Sequence, residues 1–121
     1  MIKCLVVDDV EVTRFVTGEI LEELGIQATI VKNIDEGLKE ITSGNFDVIL
    51  LDWHIGKDSG VEFLKKLRSE HHLKTPVVVF SGVENDAKSH EAISAGANAF
   101  LAKPTTKDKL ENCFKNVGVA V

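Results

Sequence analysis

The sequence predicts an α/β fold, a five-stranded parallel sheet with five helices on two faces. Two observations predict it. Short apolar runs alternate five times with segments of helical periodicity, and such alternation makes parallel strands of the runs and crossovers of the helices. The runs are near-continuous Val, Leu and Ile, the pattern of strands covered on both faces. At 121 residues and 44% hydrophobic, the chain is long enough for one core and too short for two ordinary domains, so residues 1–121 read as one domain.

Residues 2–7 form the first strand. Val12, Phe15, Val16, Ile20, Leu21 and Leu24 then recur at helical spacing until Gly25 supplies a C-terminal stop. The second strand is 27–31. Asn33 followed by Glu36 makes an N-cap with a reciprocal side-chain pair, opening a helix with Leu38 and Ile41 inward that ends near Gly44. Residues 48–51 give the third strand, and Val61, Leu64 and Leu67 mark the third helix, on which Lys65, Lys66 and Arg68 read as a solvated face. Pro76, confined to a strand's first residue or edge, opens the strand 77–80. Residues 86–95 form a weakly apolar helix with Gly96 after it. The fifth strand is 99–101, and Leu110, Cys113, Phe114 and Val117 follow at i, i+3, i+4 and i+7 on the fifth helix.

Composition excludes several function classes. A net charge of −5 and the absence of a dense Lys/Arg run give no attraction for phosphate backbones, so no direct nucleic-acid partner is expected. Asp8 and Asp9 cut the N-terminal apolar stretch short of a signal sequence, and no run approaches the roughly 18 residues of a membrane span. A cytoplasmic protein without a membrane partner is expected. Cys4 and Cys113 lack a CxxC spacing and read as buried reduced thiols. His54, His71, His72 and His90 show no metal-ligand spacing, and His71 and His72 read as solvated.

Chemistry concentrates where the strands end. Asp8 and Asp9 follow the first strand, Asp52 the third, Ser81 the fourth and Lys103 the fifth. Parallel strands share an edge, so these groups converge beyond the carboxyl ends, where open α/β sheets bind ligands. Two carboxylates about 4 Å apart repel by roughly 4 kcal/mol at an effective dielectric near 20, so three together require a compensating cation. An oxygen-only donor set with few side chains suits Mg²⁺. Ser81 can donate a hydrogen bond, and Lys103 a charge, to a tetrahedral anion seated there. No base and no Gly-rich loop accompany them, which leaves a carboxylate as nucleophile, and carboxylates form aspartyl phosphates.

On these residues the chain resembles the receiver domains of two-component response regulators, and is most similar to single-domain members such as the chemotaxis and cell-cycle regulators. Val6-Val7-Asp8-Asp9, Leu50-Leu51-Asp52 with Gly60 eight residues on, Ser81-Gly82 and Lys103-Pro104 carry the resemblance, which covers essentially the whole chain. It implies a flavodoxin-like doubly wound sheet of order 2-1-3-4-5. Asp52 would accept a phosphoryl group from a sensor histidine kinase or a histidine phosphotransfer protein. Asp9, Asp52 and the backbone carbonyl of His54 would bind Mg²⁺ directly, with Asp8 acting largely through a bound water. Ser81 and Lys103 would contact the phosphoryl oxygens, Phe100 matches the family's aromatic switch position, and the Lys103-Pro104 peptide would be cis. Family members often carry Met-Pro three and four residues after the phosphorylated Asp, where this chain has Ile55-Gly56. Ser81 replaces the commoner Thr, and His54 and Val83 occupy positions that tune acyl-phosphate lifetime.

The leading reading is a binding module, not an enzyme, in which phosphate on Asp52 shifts an equilibrium between two surfaces. The face built from the fourth helix, fifth strand and fifth helix is the expected output surface, because the fourth helix has few apolar anchors. With few residues beyond the fifth helix, output is expected through an unknown protein partner. A constitutive interaction domain or phosphate sink is a second reading. A phosphatase of the haloacid dehalogenase type is a third, opposed by His54 standing where a second Asp is needed and by the lack of a cap insertion. Trp53, next to Asp52, is expected at the rim of the site.

Overall fold

In the computed structural model, residues 1–82 and 86–121 are described, without the side chain of Asp86. The elements are β1 (Lys3–Val7), α1 (Glu11–Glu23), β2 (Gln27–Val31), α2 (Ile34–Ser43), β3 (Val48–Asp52), β4 (His54–Ile55), β5 (Asp58–Ser59), α3 (Gly60–Ser69), β6 (Val77–Ser81), α4 (Asp86–Ser94), β7 (Ala99–Ala102) and α5 (Lys107–Asn116). Five strands form a parallel sheet of order β2-β1-β3-β6-β7. This is the expected 2-1-3-4-5 order, because β4 and β5 pair only with each other as a small antiparallel hairpin. The hairpin is absent from the sequence reading.

Alternation along each strand divides the core in two. Leu5, Val7, Ile49, Leu51, Val77 and Val79 face α2, α3 and α4, while Cys4, Val6, Val48, Leu50, Val78 and Phe80 face α1 and α5. The Asn33 cap is as expected: its side chain accepts from the Glu36 amide at 2.8 Å, and its amide nitrogen donates to the Glu36 carboxylate at 3.3 Å. Gly25 follows α1 at φ 73°, a conformation that glycine adopts without a Cβ clash. Burial pushes the Cys4 thiol up to about 12 and raises Cys113 by the same cause, so both remain protonated thiols.

One helix is less buried than its apolar content suggests, and one expectation is corrected. The apolar stripe of α1 does not all enter the core: Thr17 and Leu21 are buried, whereas Val12, Phe15 and Val16 are exposed. At about 100° per residue these three point well away from the Thr17–Leu21 line that meets the sheet. Arg68 is not part of a solvated face. Its guanidinium donates to the Gly96 carbonyl from Nε (3.1 Å) and Nη2 (2.9 Å), to the Leu73 and Thr75 carbonyls from Nη1 (2.7 and 2.8 Å), and to Asn98 Oδ1 (3.0 Å). The planar fork thereby ties the end of α3 to the turn after α4. Lys65 does stay outside, in an exposed pair with Glu62.

Candidate functional site: a carboxylate and lysine cluster at the strand ends

The sheet's register brings the site together. Val7 pairs with Leu51, so Asp8 follows at the level of Asp52; Asp52 pairs with Phe80 and Ser81 with Ala102, so Ser81 and Lys103 lie one step beyond. Asp52 and Ser81 are themselves the last residues of β3 and β6. By parity Asp52 continues the Val48–Leu50 side of the sheet, whereas Ser81 continues the Val77–Val79 side under which α4 packs.

Asp8, Asp52 and Ser81 are buried, and Asp9 is exposed. Carboxylate oxygens of Asp8, Asp9 and Asp52 lie within 4.8 Å of one another, an arrangement that could hold a metal ion. Lys103 Nζ spans two of them, 3.1 Å from Asp8 Oδ2 and 3.3 Å from Asp52 Oδ2, and also sits 4.7 Å above the Phe80 ring. Asp8 is further held by the Val10 amide, which donates to its Oδ1 at 2.8 Å. Burial pushes the Asp52 carboxyl up to about 6, the charge of Asp8 adds to this, and Lys103 opposes both. One ammonium against three carboxylates leaves a net negative cavity. The donor set fits a hard divalent cation.

The segment between Asp52 and α3 is shaped by glycines. The Gly60 amide donates to the Trp53 carbonyl at 2.8 Å, closing the base of the β4–β5 hairpin. A Cβ on Gly60 would come within 1.9 Å of the Asp52 carbonyl oxygen, so only glycine lets α3 start this close to Asp52. His54 and Ser59 face each other next to the Ile55–Asp58 pair that flanks the turn. In a two-residue hairpin the pair flanking the turn exchanges the ladder bonds and the next pair, His54–Ser59, exchanges none, so the His54 carbonyl is left out of the ladder. Its side chain is exposed.

Trp53 is not at an open rim. It is 7% exposed, with its ring edge-on to Phe100 (centroids 6.3 Å apart, 79°) and the Lys88 ammonium of α4 5.2 Å from its centroid. Phe100 is half-buried on the same side of the sheet. The Lys103-Pro104 peptide is cis. Val83 lies outside the described residues.

Sequence reasoning missed the Gly56 amide, which donates to Asp9 Oδ2 at 2.7 Å, and the cation over Trp53. A Gly-X pair between Ile55 and Asp58 was the available signal for the first. Nothing local marks the second.

Comparison with known proteins agrees with this geometry. The profile of the response regulator receiver domain matches residues 4–115. The chain is 32% identical over 123 residues to the chemotaxis protein CheY of Pseudomonas aeruginosa, covering 95% of this chain and 98% of that one. It superposes on the Vibrio cholerae chemotaxis protein CheY4 with a TM-score of 0.89 at 28% identity, covering 97% of this chain and 98% of the other. A response regulator from Burkholderia pseudomallei, solved with a phosphorylated aspartic acid, a calcium ion and citrate, matches at a TM-score of 0.84 and 29% identity, over 93% of this chain and 66% of that one. With an acidic cluster and lysine at the strand ends, this flavodoxin-like sheet and a profile match across most of its length, the chain belongs to the response regulator receiver domain family.

Proposed function

We propose that the protein is a phosphoacceptor response regulator in which Asp52 takes a phosphoryl group from a sensor histidine kinase or a histidine phosphotransfer protein. Receiver domains are signalling modules rather than typical enzymes. The observation that carries the reading is Lys103 Nζ bridging Asp8 and Asp52 at the mouth of three converging carboxylates. In the transfer, an Asp52 carboxylate oxygen forms a bond to phosphorus while the phosphorus–nitrogen bond of the donor breaks, its electron pair staying on the imidazole. Asp52 must be ionised for this, which a carboxyl near 6 achieves at neutral pH.

Asp9, Asp52 and the His54 carbonyl would hold Mg²⁺, with Asp8 reaching it through a water. The ion would offset the charge of the incoming phosphoryl oxygens. Lys103 would exchange its Asp52 contact for a phosphoryl oxygen, and the Ser81 hydroxyl would donate to another. Ser81 and Phe100 then link the site to α4, and the face of α4, β7 and α5 binds an output protein differently in the two states. The solved relative with phosphorylated aspartic acid supports the choice of nucleophile.

Incubation with acetyl phosphate and Mg²⁺ should add one hydroxylamine-labile phosphoryl group, absent in Asp52→Asn. Mass spectrometry placing the phosphate on Ser81 or a histidine would overturn the assignment. Failure of any labelling would favour a constitutive interaction domain.

A further inference from the structure

The Ile55-Gly56 departure from the family's usual Met-Pro gives this chain a donor that proline lacks. Gly56 and Lys57 are the two-residue tip of the β4–β5 hairpin, and Gly56 has φ 63° while Lys57 is not among the residues of positive φ. A positive φ at the first central position alone is the type II′ turn, in which glycine is preferred. The amide of that first residue takes no part in the hairpin's own ladder. It points instead across the site and donates to Asp9 Oδ2 at 2.7 Å, between residues 47 apart in sequence. The turn is held from below as well: Ile55 is 2% exposed in the core, and the Gly60 amide closes the hairpin's base on Trp53.

We infer that the Gly56 N–H is a positioning group for the cation site: it fixes the exposed Asp9 carboxylate beside Asp8 and Asp52 before an ion arrives. Asp9 would otherwise turn toward water, away from two like charges. A carboxylate has about four acceptor positions, so one amide leaves the others for a metal. The bond is charge-assisted and short, and its N–H comes from a core-anchored turn, so the order it imposes on Asp9 does not have to be created during binding. The same bond ties the segment carrying the His54 carbonyl to the acidic pair, which couples two of the proposed metal donors. This inference rests on the Mg²⁺ site proposed above.

Calorimetric Mg²⁺ titration of three proteins tests it. Gly56→Pro, which removes the N–H and cannot adopt φ 63°, should weaken binding about tenfold, the scale of a lost outer-sphere partner. Replacement of Gly56 by D-alanine through semisynthesis keeps the N–H and adopts this positive φ, and should restore most of the affinity. Amide hydrogen exchange in the metal-free protein gives a second measurement free of any loop rearrangement: the Gly56 amide should exchange about tenfold faster in Asp9→Ala, as expected for loss of a charged acceptor. Equal or tighter Mg²⁺ binding by a folded Gly56→Pro, or a Gly56 exchange rate unchanged in Asp9→Ala, overturns the inference while leaving the cation site standing. Wild-type protein that binds no Mg²⁺ in the millimolar range overturns both.

Discussion

Helices α3 and α4 pack on the same side of the sheet and are nearly equal in length, yet they are held by different means. α3 buries Gly60, Val61, Phe63, Leu64 and Leu67, and begins in backbone contact with Asp52. Of α4's described side chains, only Ala92 is fully buried, and Ile93 is exposed. Buried apolar surface is what anchors a helix, so α3 is held more strongly than the described part of α4. The difference sets a firmly anchored helix next to a loosely docked one on a single face of the sheet. In the proposed function, α4 is the helix that a change of charge at Asp52 would move at the lower cost.

The largest effect should come from α3. Leu64→Ala, at a fully buried position, should cost about 2–5 kcal/mol in chemical denaturation, whereas Ile93→Ala on α4 should stay within about 0.5 kcal/mol. Comparable losses would erase the contrast between the helices.

Next in size is the charge at Asp52. Below pH 3.8 Asp52 is protonated folded and unfolded; between 3.8 and about 6 the unfolded chain ionises while the folded protein keeps its proton. The proton-linked stability is thus full at low pH and is lost as pH rises through about 6, by roughly 3 kcal/mol for a shift from 3.8 to about 6. In metal-free buffer, Asp52→Asn should gain on wild type by that order between pH 4 and 7. A difference independent of pH would mean that burial does not hold the Asp52 proton.

The smallest effect sharpens the picture of α4. Lys88→Ala removes the ammonium 5.2 Å from the Trp53 centroid, a contact worth about 0.5–1 kcal/mol at a partly exposed site. Trp53 is the single tryptophan, so its emission should shift in Lys88→Ala with little change in melting temperature. An unchanged spectrum would detach α4 from Trp53.

The sequence made the architecture legible because five strands covered on both faces write themselves as near-continuous apolar runs, and because Asn33 and Glu36 cap α2 through local bonds. The site was legible for a related reason: parallel strands in register bring their carboxyl ends to one edge, so Asp8, Asp52, Ser81 and Lys103 could be placed together without coordinates. Two-residue strands such as β4 and β5 are too short for any periodicity to register. Arg68 was read as solvated because its partners are backbone carbonyls and the Asn98 side chain, up to 30 residues away, and nothing local in the sequence marks them. On α1, periodicity revealed a broad apolar stripe but not how much of it the sheet would cover, and Phe15 is 66% exposed.

Arg68 has a mechanical consequence for the weaker helix. Its bonds grip Gly96 and Asn98, just past the C-terminal end of α4, whereas the other end of that helix follows Ser81 in the chain. A nine-residue helix gripped at one end is a lever about 13 Å long, and a tilt of about 10° at the fulcrum carries the far end through about 2 Å. In the proposed function, phosphorylation of Asp52 would act on the end of α4 that follows Ser81 in the chain. The guanidinium would turn such a displacement into a swing rather than a slide, so that the exposed face of α4 would change its angle to β7 and α5 while its base stays in register with the sheet.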